Sequence, residues 1–202
     1  MTVAAQDELR RTLFNVPNQL TMLRLVLAVA VFTLIPFKAY LAALVVFLIA
    51  ASTDWIDGYW ARKYGQVTQL GRIFDPFVDK IIICGTFIML AAEPHSGIAG
   101  WVAVIVVARE MLVTALRSFI EQSGGDFSAN KAGKLKMVFQ CAAVVASLLA
   151  LMVLRSRTGP TAALPPWLYW SVVLTVWGAV LLTVYSGVGY VMAVFRYLRD
   201  AE

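Results

Sequence analysis

The sequence is poor in three kinds of residue that most chemistry draws on. It has two cysteines and one histidine in 202 residues. Cys84 and Cys141 both fall inside apolar stretches, where cysteine behaves as a small core residue, so a disulfide scaffold is excluded. His95 sits in the polar loop Glu93-Pro94-His95-Ser96-Gly97 with no Cys or His at ligand spacing, which argues against a zinc centre. Charge is scarce too. Only 14% of residues are charged, against about 25% in a typical soluble domain. That excludes intrinsic disorder and a soluble enzyme of ordinary composition. The formal net charge is +5 and the pI about 9.4, yet no Lys/Arg-rich stretch is interleaved with aromatics, so no nucleic-acid partner is expected.

What is present in excess is apolar: 60% of residues are hydrophobic and the mean hydropathy is +0.77. A membrane-spanning helix needs about 20 mostly apolar residues, so a chain of this length allows roughly six spans with short loops. Apolar stretches cover residues 20–36, 39–61, 73–92, 98–116, 135–154 and 167–195. They are too long and continuous for barrel strands, and only helices or closed barrels satisfy the backbone in lipid. The expected fold is therefore an all-α integral membrane protein of six transmembrane helices, forming one membrane domain over 1–202 with a juxtamembrane segment at about 1–15. With a cytoplasmic N-terminus, the outer loops carry only Lys38, Arg155 and Arg157 of the 17 Lys and Arg residues. The positive-inside rule thus places both termini in the cytoplasm. Trp167, Tyr169 and Trp170 belong to an outer aromatic belt, and Arg196 and Arg199 anchor the inner end. Residues 4–14 form either a short interfacial helix or a frayed tail. Arg24 interrupts the first apolar stretch and no small-residue cleavage site follows, so no signal peptide is expected.

Four of the 12 acidic residues, Asp54, Asp57, Asp75 and Asp79, lie within or against these apolar stretches. Ionisable groups inside a membrane are expensive and default to a functional role. At 100° per residue, Asp54, Asp57, Gly58 and Ala61 share one stripe, and Gly71, Asp75 and Asp79 recur every four residues. Each stripe joins carboxylates to residues with little or no side chain, which lets a helix or ligand approach the backbone. The apolar run 39–53 supplies about 22 Å and the run 81–92 about 18 Å, so the carboxylates fall toward the cytoplasmic side of the hydrocarbon core. At about 4 Å and an effective dielectric near 20, a like-charged pair costs roughly 4 kcal/mol. Either some carboxylates are protonated or cations hold them together. A carboxylate set without His or Cys selects Mg²⁺, with Mn²⁺ as a second choice, and two such ions could clamp a phosphoryl group. The plainer alternative is a set of interfacial aspartates capped by Arg62, Lys63, Arg72 and Lys80.

These residues spell D-x2-D-G-x2-A-R-x8-G-x3-D-x3-D from Asp54 to Asp79 without a departure. The pattern resembles the signature of the CDP-alcohol phosphatidyltransferases, and the resemblance extends over most of the chain. It implies a membrane enzyme that transfers the phosphoryl-lipid part of a CDP-linked donor to an alcohol and releases CMP. By the same resemblance, Asp54, Asp57 and Asp75 bind metal that bridges the pyrophosphate. Asp79 helps hold the second metal and acts as general base on the acceptor hydroxyl. Gly58, Ala61, Arg62 and Gly71, with Asp54 and Asp57, line the donor pocket. It also implies a homodimer. The residue chemistry agrees, since phosphoryl transfer needs positioning and charge neutralisation more than covalent chemistry.

Three further segments bear on the acceptor. Asn15-Val16-Pro17-Asn18-Gln19-Leu20-Thr21-Met22-Leu23-Arg24 is similar to the N-terminal N-x-P-N-x-L-T-x-x-R of family members that use glycerol 3-phosphate. It makes Asn18, Thr21 and Arg24 supporting site residues. It also reads as helix punctuation, with Pro17 stopping an upstream helix, Asn18 as N-cap and Arg24 snorkelling. On the fourth helix, Arg109 lies deep in an apolar run, and Glu110 and Arg117 share a face at i, i+7. That arrangement is either an internal Glu–Arg pair between helices or an anion site, since Arg matches phosphate with bidentate donors. The segment Asn130-Lys131-Ala132-Gly133-Lys134-Leu135-Lys136 through Gln140 is either a positive-inside cluster or, like the same family members' G-K-x-K-x-x-x-Q, part of the acceptor site.

The acceptor would then be sn-glycerol 3-phosphate, its phosphate held by Arg109, Arg117, Lys134 and Lys136. Its primary hydroxyl would attack the β-phosphate of CDP-diacylglycerol, giving phosphatidylglycerophosphate and CMP. An acceptor of inositol phosphate, serine or phosphatidylglycerol is the nearest rival, and a cation transporter the distant one. Transport needs a polar path across the whole membrane, and the carboxylates cluster at one end. A structural protein with a decayed site conflicts with the unbroken motif. The expected location is the bacterial inner membrane with the active site facing the cytoplasm.

Overall fold

The computed structural model describes residues 16–64, 69–122, 131–156 and 163–200. Six helices and no strands occur among them. They are α1 Val16–Leu34, α2 Tyr40–Tyr64, α3 Gln69–Ala92, α4 Gly100–Gln122, α5 Lys131–Ser156 and α6 Pro166–Asp200. The expected order of helices is present. The segment 4–14 lies outside the described residues.

Two helices hold segments long and apolar enough to cross a membrane, Gly133–Ser156 in α5 and Pro166–Arg196 in α6. The apolar parts of α1, α2 and α3 are shorter: Thr21–Leu34, Tyr40–Thr53 and Lys80–Ala92. The reason is in the sequence. Asp54 follows the apolar part of α2, Asp79 precedes that of α3, and Arg109 and Glu110 interrupt α4 near its middle. The outward face of α6 is as apolar as its packed face. Leu174, Trp177, Leu181, Val184, Tyr185, Val188, Met192 and Phe195 are all exposed. A helix hydrophobic all round is one that meets lipid on its free side.

The chain divides into two compact units, residues 1–85 and 86–202. In the first, α1 and α2 form an αα-hairpin. Its turn is closed by Ala39 N–H donating to Leu34 O at 3.0 Å and Lys38 N–H donating to Ile35 O at 2.8 Å. Lys38 sits at φ 57°. This is a Schellman cap with lysine where glycine is usual. Ala28 and Val31 of α1, Ile35 just after it, and Ala43, Phe47 and Ala50 of α2 are buried at helical spacing. α3 comes close to α1 at Gly85, where an added Cβ would lie 2.1 Å from the Phe32 ring.

Two details of α1 differ from the sequence reading. The helix is already formed at Val16, so Pro17 and Asn18 lie inside its first turn. Pro17 opens the helix, a position that tolerates a missing N–H, and Asn18 is not the N-cap. Arg24 is 3% exposed and Thr21 is buried on the same face. Arg24 therefore packs inward and does not snorkel outward.

In the second unit α5 and α6 pack along much of their length, and α4 packs on α6. The α5–α6 seam is lined by Ala143, Val144, Leu148 and Leu151 against Leu168, Val172, Val176, Ala179 and Val180, all buried. At Gly178 an added Cβ would lie 2.4 Å from the Phe139 ring. The link before α4 is a tight turn with His95 at φ 66° and Gly97 at φ 78°. Ile98 N–H donates to Ser96 Oγ at 3.2 Å within it. Trp167, Tyr169 and Trp170 are exposed at the start of α6. Cys84 is buried and Cys141 is half-buried.

Candidate active site

The second unit contains a charged cluster within its helix packing. Arg109, Glu110 and Lys136 are 9%, 5% and 6% exposed. Sinking ions among apolar helices costs several kcal/mol each unless they are paired and hydrogen-bonded. Glu110 answers part of that cost. Its carboxylate accepts from Arg109 Nη1 at 3.3 Å and from Lys136 Nζ. Arg109 Nη2 donates to Ser186 Oγ at 2.7 Å, and Ser186 Oγ donates to Thr183 O at 3.3 Å. Gln140 Nε2 donates to Thr183 Oγ1 at 3.2 Å. Arg117 Nη2 donates to Tyr190 Oη at 3.2 Å, and the Arg109 guanidinium lies 5.8 Å from the centroid of the Tyr190 ring. Together these contacts tie α4 to α5 through Glu110 and to α6 through both arginines.

The sequence explains the local geometry. Lys136 and Gln140 are four apart on α5, while Thr183, Ser186 and Tyr190 stand at i, i+3 and i+7 on α6, so each set forms one polar stripe. Gly187 lets the Arg109 stem lie against α6, since an added Cβ there would sit 3.2 Å from Arg109 Cγ. Two donors are left over. Arg109 Nε and Arg117 Nε are buried with no hydrogen-bond partner. A buried unsatisfied donor costs about 1–3 kcal/mol, and an anion would satisfy both. Among the described residues two cations, Arg109 and Lys136, meet the one carboxylate of Glu110, and the surplus of positive charge suits a phosphate.

Of the four residues expected to hold the acceptor phosphate, Arg109, Arg117 and Lys136 come together here. Lys134 does not. It is exposed, and two residues of separation turn it to the other side of α5. Sequence reasoning missed Tyr190, Ser186 and Thr183. Their signal was a polar stripe at helical spacing in an otherwise apolar helix.

The aspartate motif lies in the first unit. Asp54, Asp57, Gly58, Ala61 and Arg62 occupy continuous helix in α2, and Gly71, Asp75 and Asp79 do so in α3. α3 starts at Gln69, ahead of the apolar stretch that begins at residue 73, so Gly71 lies in the same helix as its two aspartates, as its spacing from them implied. The backbone thus gives the i, i+3 and i, i+4 registers that the spacing implies. The side chains of these eight residues, and that of Asn18, lie outside the described set, as does the link 65–68. Among the described residues no group of three or more His, Cys, Asp or Glu side chains gathers as a metal site.

Comparison with known proteins adds an independent line. The CDP-alcohol phosphatidyltransferase family matches residues 14–195, across both units. A Bacillus subtilis protein named CDP-diacylglycerol–glycerol-3-phosphate 3-phosphatidyltransferase is 34% identical over 94% of this chain and all of its own length. Proteins of the same name are 34% identical in Sodalis glossinidius, over 81% of this chain and 90% of theirs, and 33% identical in Escherichia coli, over 65% and 75%. A motif of eight fixed positions carried on two helices and a match over nearly the whole chain lead to one conclusion: this chain belongs to the CDP-alcohol phosphatidyltransferase family.

Proposed function

We propose that the protein transfers the phosphatidyl group of CDP-diacylglycerol to the primary hydroxyl of sn-glycerol 3-phosphate, yielding phosphatidylglycerophosphate and CMP in phospholipid synthesis. The observation that carries the acceptor is the cluster of buried Arg109 and Lys136 with half-buried Arg117, in which two guanidinium Nε donors are buried and unsatisfied. A dianionic phosphate monoester matches it, whereas serine brings no phosphate. The curated relatives bear the name of this reaction.

Asp54, Asp57, Gly58, Ala61, Arg62 and Gly71 hold the cytidine diphosphate part. Asp79 takes the proton from the acceptor hydroxyl as its oxygen forms a bond to the β-phosphorus. The bond from that phosphorus to the bridging oxygen breaks, and CMP leaves with the electron pair. Arg109, Arg117 and Lys136 fix the acceptor phosphate, and Asn18, Thr21 and Arg24 support the substrate site. Positioning of this kind is the main source of rate in phosphoryl transfer. The donor set of Asp54, Asp57, Asp75 and Asp79 is all hard oxygen, which fits Mg²⁺, with Mn²⁺ as substitute. Two bound ions would neutralise the charge of the pyrophosphate.

The same reading places six spans in the bacterial inner membrane, both termini and the active site on the cytoplasmic side, and the enzyme as a homodimer. The positive charge of the inner loops supports the orientation. The test is purified protein in mixed micelles with CDP-diacylglycerol, Mg²⁺ and a panel of acceptors: glycerol 3-phosphate, inositol phosphate, serine and phosphatidylglycerol. CMP release with glycerol 3-phosphate alone, together with phosphatidylglycerophosphate as the lipid product, is expected. Release with another acceptor would overturn the acceptor assignment, and none with any acceptor would overturn the activity.

A further inference from the structure

The acceptor arginines both stand on α4, yet the groups that orient them come from α6. Ser186 Oγ accepts from Arg109 Nη2 at 2.7 Å. One turn later, Tyr190 Oη accepts from Arg117 Nη2 at 3.2 Å, and the Tyr190 ring lies 5.8 Å from the Arg109 guanidinium. Between them, Gly187 leaves room for the Arg109 stem. Arg109 is gripped at both terminal nitrogens, by Glu110 and Ser186, and Arg117 at one, by Tyr190, while the Nε of each stays buried and unpartnered. A planar fork held at one end has little rotational freedom, so the grip decides where the remaining donors point.

We propose that Tyr190 and Ser186 are positioning residues for acceptor specificity. They lock Arg117 and Arg109 in the orientation that presents their free donors to a phosphate monoester, without touching the reacting atoms. The inference rests on the acceptor site proposed above and adds to it the residues that shape that site from α6. Tyr190 acts twice, through its hydroxyl on Arg117 and through its ring on Arg109. The two actions separate by substitution. Tyr190→Phe removes the first and keeps the second, while Tyr190→Leu removes both.

The experiment measures full-length protein in mixed micelles, varying glycerol 3-phosphate and CDP-diacylglycerol separately, for Tyr190→Phe, Ser186→Ala, Arg117→Ala and the double variant Tyr190→Phe/Arg117→Ala. Tyr190→Phe is expected to raise the KM for glycerol 3-phosphate about tenfold, the scale of one hydrogen bond to a charged group. The KM for CDP-diacylglycerol and the melting midpoint should stay close to the parent values. Ser186→Ala should do the same through Arg109. In the double variant, Tyr190→Phe should add nothing to the effect of Arg117→Ala, because it acts through that residue. If Arg117→Ala raises the acceptor KM and neither Tyr190→Phe nor Ser186→Ala does, the positioning role is wrong and the acceptor site stands. If Arg117→Ala itself leaves the acceptor KM unchanged, the acceptor site falls and the inference with it. An equal rise for both substrates, or additivity in the double variant, reduces Tyr190 to a packing residue and overturns the proposal.

Discussion

Lys136 of α5 and Glu110 of α4 form a buried ion pair across two helices, and Arg109 donates to the same carboxylate. Removing one member of a buried pair leaves its partner as an uncompensated charge and costs about 3–5 kcal/mol. Glu110→Ala is therefore expected to lower the melting midpoint sharply, and Lys136→Ala to do nearly as much. Lys134→Ala removes an exposed lysine from the same turn of α5 and should change stability by no more than about 0.5 kcal/mol. Thermal melts of the three variants in detergent check the order. A Lys134→Ala effect as large as that of Lys136→Ala would contradict it.

The helices were legible because each apolar run is long and the interruptions carry charge. The two helices that contain the aspartate motif were also legible from residue types, since i, i+3 and i, i+4 carboxylates beside small residues fit only helical stripes. The ends were less so. The apolar stretch begins only at residue 73, yet α3 begins at Gln69, because polarity does not break a helix that needs no apolar face there. Asn18 looked like an N-cap because Pro17 precedes it, but proline in a first turn is as ready to open a helix as to stop one. The partners of the cluster were hidden by distance along the chain. Glu110 and Arg117 share a face by periodicity, but Arg117 turns to Tyr190, 73 residues away. Glu110 takes Lys136, 26 residues away. No periodicity within one helix reveals which neighbour will supply the counter-charge.

The α5–α6 seam depends on Gly178, where a Cβ would come within 2.4 Å of the Phe139 ring. Overpacking of this kind costs about 1–3 kcal/mol. Gly178→Ala should lower the melting midpoint, and Phe139→Leu in the same chain should restore part of the loss by giving the methyl group space. A double variant less stable than the sum of its parts would show that the contact is not the cause.

If Asp54, Asp57, Asp75 and Asp79 hold Mg²⁺, chelation should abolish CMP release and Mg²⁺ should restore it, with Mn²⁺ as a substitute. Binding to the folded state alone also raises stability, by about 2.7 kcal/mol at a hundredfold excess over Kd. Mg²⁺ should therefore raise the melting midpoint of the parent protein with donor bound, and should not raise that of Asp54→Asn. A shift of equal size in both would place the cation elsewhere.

The assignment of Asp79 as the base separates chemistry from binding. Asparagine keeps the shape and one oxygen of aspartate but cannot take the hydroxyl proton. General-base catalysis contributes about 10²–10⁴-fold, so Asp79→Asn should lower kcat by at least that range while CDP-diacylglycerol binding falls little. Donor binding is read by protection against thermal unfolding, and transfer by CMP release in the same preparation. Asp54→Asn is the control with the opposite balance: as a residue of both the donor pocket and the metal set, it should weaken donor protection as well as turnover. Near-parent turnover in Asp79→Asn would mean that the acceptor proton leaves by another route, and Asp79 would then be a metal ligand alone.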